Sequence, residues 1–115
     1  MAASSIPLPE CDSIKIDAAD WQAGAQPGEA LRPLIDDPRG YRTFLSRVPA
    51  GPLGARHAHD EIEQIYVLEG DFYDDDADYG PGDFVLRMPG AIHRAGSRNG
   101  CTMLIVYAPL VEMQR

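Results

Sequence analysis

A chain of 115 residues has room for one domain built on one core. Eighteen acidic side chains face ten basic ones, and the net charge of −8 excludes a phosphate-binding face and hence nucleic acid as an expected partner. Two cysteines, Cys11 and Cys101, make neither a CxxC pair nor a disulfide framework, and the chain has no apolar run of about 18 residues that could span a membrane.

The N-terminus carries no basic stretch followed by an apolar run, so no leader is expected and the cytoplasm is the default location. Residues 1–30 read as an arm and a loop. The first 13 are small, polar and interrupted by proline. Ile14 and Ile16 then alternate with Lys15 and Asp17, a short strand signal. Trp21 reads as a packing anchor, and residues 22–30 are rich in Gly, Ala, Gln and Pro. The main domain is expected over residues 31–110, with residues 111–115 as a tail. Leu31, Pro33 and Leu34 suggest an edge strand. Asp36-Asp37-Pro38-Arg39-Gly40 is a turn. Residues 41–48 alternate as a strand, with Tyr41, Thr43, Leu45 and Arg47 on one face and Arg42, Phe44, Ser46 and Val48 on the other. Pro and Gly end it at residues 49–54.

All three histidines of the chain fall in the next stretch. His57 and His59 are two apart, so on a strand they share a face and their imidazoles can converge on one ion. A turn at residues 60–62 returns Glu63 to the same side, and His93 arrives from another strand. Neutral imidazole and carboxylate suit one divalent metal ion: Fe, Zn, Mn, Ni or Co. Residues 64–68 are a strand with Ile65 and Val67 on one face and Tyr66 and Leu68 on the other, and Gly70 relieves the backbone at its end. The acidic run at 71–78 reads as a solvated hairpin tip, in which Asp71, Phe72 and Tyr73 enter a strand and Asp74-Asp75-Asp76 is its turn. It lacks the glycine-centred loop and final Glu of an EF-hand. Residues 79–83 turn, 84–88 form a strand, and the turn at 89–93 delivers His93. Residues 101–107 are apolar on both faces, which predicts a central strand or one buried at an interface. No segment has sustained helical periodicity, so the fold class is all-β, a barrel or a sandwich.

On these residues the chain resembles the cupin superfamily. Gly51, His57, His59, Glu63 and Gly70 match the first cupin motif at its spacing; Gly82, Asp83, Pro89, Gly90 and His93 match much of the second. Within the superfamily it is most similar to the cupin domain of ChrR-type anti-sigma factors and its free-standing relatives, through residues 31–34, 47–51, 67–70, 84–90 and 100–101. The resemblance implies a small single-domain RmlC-like jelly-roll β-barrel whose metal ligands are His57, His59, Glu63 and His93. Two departures stand out. Pro89 sits one residue later than the usual proline, and Asp60-Glu61 replaces a Gly-Gly pair, adding two carboxylates near the site. The helical zinc domain that binds sigma in the anti-sigma factors has no counterpart in these residues, so an anti-sigma role is not expected.

Relatives of this subgroup also resemble diketone-cleaving and dihydroxyacetophenone-type dioxygenases. The resemblance therefore implies an oxidoreductase acting on a small dicarbonyl or hydroxylated aromatic substrate. The alternatives are a non-catalytic metal- and ligand-binding or sensing module, and a metal-dependent isomerase or lyase. Candidates beside the metal are Tyr41, Arg42, Arg47, Tyr66, Arg87 and Tyr107, and the choice for a catalytic role is Arg47 and Tyr66. Cys101 reads as an inert core residue. A homodimer is expected, with the N-terminal strand and residues 101–107 as its edges.

Overall fold

Alternation of apolar and polar residues translates directly into strands in a computed structural model, which describes residues 13–17, 20–53, 60–90 and 94–110. In chain order the strands are β1 Gln22–Ala23, β2 Ala30–Asp36, β3 Arg42–Val48, β4 Gly51–Pro52, β5 Glu61–Gly70, β6 Phe72–Asp74, β7 Asp78–Tyr79, β8 Phe84–Arg87, β9 Ala95–Ser97 and β10 Cys101–Pro109. They form a six-stranded sheet in the order β1-β2-β3-β10-β5-β8 and a four-stranded sheet in the order β4-β9-β6-β7. All pairings are antiparallel.

The expected closed barrel is corrected here to two sheets packed face to face. Among the described residues no strand ladder joins one sheet to the other. The physical reason lies in the second sheet, whose strands run only two or three residues between glycine, proline and aspartate turns. Such short strands cannot carry a ladder around the corners. The sheets are held instead by one apolar layer, in which Ile65, Val67, Met103, Ile105 and Val48 of the larger sheet meet Phe72 and Ala95 of the smaller.

β10 is apolar on both faces because it is central, pairing with β3 on one side and β5 on the other. It is therefore not an edge; the edges of the larger sheet are β1 and β8. Two further expectations change. Residues 13–17 are not a strand. The turn expected at 60–62 is absent as well: β5 begins at Glu61, and β10 extends to Pro109 opposite it, pairing Glu61 with Pro109 and Ile62 with Ala108. Among the described residues no helix is long and apolar enough to cross a membrane.

Candidate metal centre

Strand parity decides what faces the interior. In β5 the residues Glu63, Ile65 and Val67 are buried, while Tyr66 and Leu68 point outward. The register then sets Glu63 between two neighbours, Tyr107 of β10 and Arg87 of β8, in one row across the inner face. Directly opposed side chains on adjacent strands start only about 5 Å apart, so both reach the carboxylate. The Tyr107 hydroxyl donates to Glu63 Oε2 at 2.8 Å, and Arg87 Nη1 donates to Oε1 at 3.3 Å. Glu63 is only 3% exposed.

Arg87 reaches further. Its Nη2 donates to Asp74 Oδ2 at 3.2 Å, and Asp74 belongs to β6 of the opposite sheet. The two side chains are 5% and 2% exposed. The guanidinium lies 5.7 Å from the Phe72 ring centroid, and its Nε is a buried donor without a hydrogen-bond partner. Asp74 also accepts from the backbone amides of Asp76 and Ala77 and from the Tyr79 hydroxyl. Burial alone pushes the Asp74 carboxyl up, but these amides, Arg87 and Tyr79 together hold it below the ordinary carboxylate value. Tyr79 moves the other way, raised by burial and by its bond to Asp74.

A second charge pair stands at the end of the same row. Arg42 of β3 lies over the Tyr107 ring at 4.5 Å and bonds Glu61 at 2.8 Å. Phe44 stacks on the other part of that ring, with centroids 5.8 Å apart. Glu61, one of the two carboxylates in place of the Gly-Gly pair, is thus matched by an arginine two strands away.

Of the four predicted ligands, Glu63 lies within the described residues; His57, His59 and His93 lie outside them. Among the described residues no three His, Cys, Asp or Glu side chains gather as a metal cluster. What is described fits a metal ligand in kind. Glu63 is a hard oxygen donor, buried, and oriented by hydrogen bonds to its carboxylate, as ligating carboxylates generally are. The structure does not bring Arg47 or Tyr66 to Glu63. Arg47 points outward, with its guanidinium 4.2 Å from the Trp21 ring centroid, and Tyr66 is 43% exposed on the outer face. Their parity opposes that of the inner row. Tyr41 is exposed too. From the wider candidate set, Arg87 and Tyr107 are the ones that touch Glu63. Asp74 went unrecognised within a run that reads as solvated; its only sequence signal is Tyr79 five residues on, which covers it. The Cys101 thiol is pushed up to about 11, chiefly by burial, which makes it a poor redox sensor.

Two antiparallel sheets packed face to face, with Arg87, Glu63 and Tyr107 in a row on the inner face, make an all-β, cupin-like fold. The chain belongs to the ChrR Cupin-like domain family, whose model matches residues 10–111. No protein of curated function matches it. Among solved structures it is similar to a chain of the Rhodobacter sphaeroides SigE complex with the anti-sigma ChrR, with a TM-score of 0.70, 20% identity, and coverage of 82% of this chain and 52% of that one. The chain thus spans about half the length of that match. The acetylacetone dioxygenase of Acinetobacter johnsonii aligns with a TM-score of 0.77 at 13% identity, covering 90% of this chain and 77% of that one. The polyketide cyclase RemF of Streptomyces resistomycificus aligns at 0.66 and 26% identity, covering 84% and 79%. These proteins differ in activity, so the shared feature is the fold. Cupins often bind a metal ion, and the superfamily includes metal-dependent oxidoreductases.

Proposed function

We propose that this cupin binds one divalent metal ion through His57, His59, Glu63 and His93 and acts as an oxidoreductase on a small dicarbonyl or hydroxylated aromatic substrate. One observation carries the reading: Glu63, at its place in the motif, is a buried carboxylate held by Tyr107 and Arg87 on the inner face. Those bonds orient a hard oxygen donor on the inner face, the kind of group that a divalent cation binds. A redox-capable metal supplies oxygen chemistry when bound. The chain's own residues do the rest. Tyr107 and Arg87 fix the Glu63 oxygens, the apolar layer of Ile65, Ile105 and Phe72 keeps bulk water from them, and the Arg42–Glu61 pair stands as a polar element beside Tyr107.

The test is anaerobic purification with elemental analysis, followed by oxygen uptake with dicarbonyl and hydroxylated aromatic compounds. The expected result is about one metal per chain, in line with a single site of four ligands, and oxygen consumption with a member of one class. A chain that takes up no divalent ion overturns the metal reading. Metal uptake without turnover favours the non-catalytic ligand-binding reading, which has its own support in the family's ChrR description. The proposal includes a homodimer, supported by the exposed apolar outer face of β5 and β8 at an open sheet edge.

A further inference from the structure

The sharing of one arginine between two buried carboxylates from opposite sheets has a consequence for the metal. Arg87 Nη1 serves Glu63 at 3.3 Å and its Nη2 serves Asp74 at 3.2 Å. One guanidinium cannot neutralise two carboxylates. Were Asp74 neutral, Arg87 would belong to Glu63 alone, and an incoming cation would have to displace or repel a fully committed positive charge. With Asp74 ionised, Arg87 is divided, and the interior at Glu63 is more negative. In a low-dielectric interior that difference acts strongly on a doubly charged ion.

We propose that Asp74 is a positioning residue for the metal: by drawing Arg87 towards the smaller sheet it keeps the Glu63 carboxylate available to a divalent cation. The inference rests on the metal reading above and extends it to a residue in the opposite sheet. Asp74 is well placed for the task. Its Oδ1 is occupied by the Asp76 and Ala77 amides at 2.9 and 3.0 Å, which lock the carboxylate in the β6–β7 turn and aim Oδ2 at Arg87. Tyr79 steadies both oxygens at 3.2 and 3.1 Å.

The substitution Asp74→Asn separates this role from a structural one. Asparagine keeps an oxygen for the two turn amides but turns a donor towards Arg87 and removes the charge. Binding of Mn2+ alone to the metal-free full chain is read by calorimetry. Asp74→Asn is expected to bind about tenfold more weakly, the lower end of what outer partners of metal ligands contribute. Asp74→Glu, which keeps the charge, is expected to stay closer to wild type. In an Arg87→Met background the same Asp74→Asn change is expected to have about a twofold effect or less, because the residue through which it acts is gone. Equal Mn2+ affinity in wild type and Asp74→Asn, or an undiminished effect in the Arg87→Met background, overturns the proposal while leaving the metal reading intact. Failure of the wild type to bind Mn2+ or any other divalent ion overturns the metal reading itself. If Asp74→Asn does not fold, Arg87→Gln decides, because it keeps a donor for Glu63 and removes the competing charge: its Mn2+-induced rise in melting temperature is expected to exceed that of wild type, and an equal or smaller rise overturns the proposal.

Discussion

Among the described contacts Glu63 accepts from a neutral hydroxyl and from a cation, and these donors do different work. The Tyr107 ring is fixed independently of its hydroxyl, by Phe44 stacked at 5.8 Å and Arg42 over its face at 4.5 Å. Tyr107→Phe therefore removes the 2.8 Å bond to Glu63 Oε2 with little change in packing. A buried acceptor that loses a donor costs about 1–3 kcal/mol. The metal-free variant is expected to lose about that much stability in urea unfolding. Its metal affinity is expected to fall about tenfold, since the carboxylate loses an orienting bond. A variant as stable and as tight as wild type would show that the Tyr107 hydroxyl does not set the Glu63 geometry.

The glycines of the two motifs look alike in sequence but differ in what holds them. Gly70 ends β5 at φ +80°, and a Cβ there would run into the backbone carbonyl oxygen of Gly100. Gly82 has φ +90°, with no atom within 4 Å of a Cβ. Positive φ alone costs a non-glycine residue about 1 kcal/mol, and a backbone clash adds to it. Gly82→Ala is expected to lose about 1 kcal/mol in urea unfolding. Gly70→Ala is expected to lose roughly 2–3 kcal/mol, because the carbonyl that must move sits where β10 begins beside β3 and β5. Equal losses at both positions would remove the close approach at Gly70 as the reason for its glycine. Element by element, the long strands were legible because period-2 alternation runs through 41–48, 64–68 and 101–107. Strands of two or three residues carry no period, so of the smaller sheet only the strand around Phe72 and Tyr73 was legible, while β4, β7 and β9 read as turns and loops. The extension of β5 to Glu61 was hidden because polar residues there read as a turn; its partner is Pro109, 48 positions away. Asp74 was hidden for the same reason. Locally it belongs to an acidic run, and the arginine that buries it lies 13 residues on and arrives through sheet packing. The ligand motif stands apart: its reading rests on residue types, their spacing and the resemblance they carry, and of its four residues only Glu63 lies within the described ones, buried on the inner face.

At the scale of the whole molecule, the two faces of the larger sheet have opposite characters. The inner face is closed by the smaller sheet. Part of the outer face is covered near β1 and β2, where Arg32 is buried against Asp20 and Arg47 packs on Trp21. Towards β8 the cover ends, and Phe84 at 56%, Leu86 and Tyr66 stand exposed next to an unpaired strand edge. A two-fold pairing of such edges puts the same apolar residues of two copies against one another. The charge of −8 on each copy opposes that approach, so an association at this edge would be apolar at its centre and would strengthen as salt screens the repulsion. Light scattering coupled to size exclusion is expected to find a dimer whose dissociation constant falls as salt rises. The double variant Phe84→Glu and Leu86→Glu places two more negative charges per copy at the contact and is expected to be monomeric at the same concentration. Neither side chain lies in the core or touches Glu63, so its metal uptake should match wild type. A dimer that weakens with salt would point to a polar interface elsewhere, and a double variant that remains dimeric would remove the β8 edge as the contact.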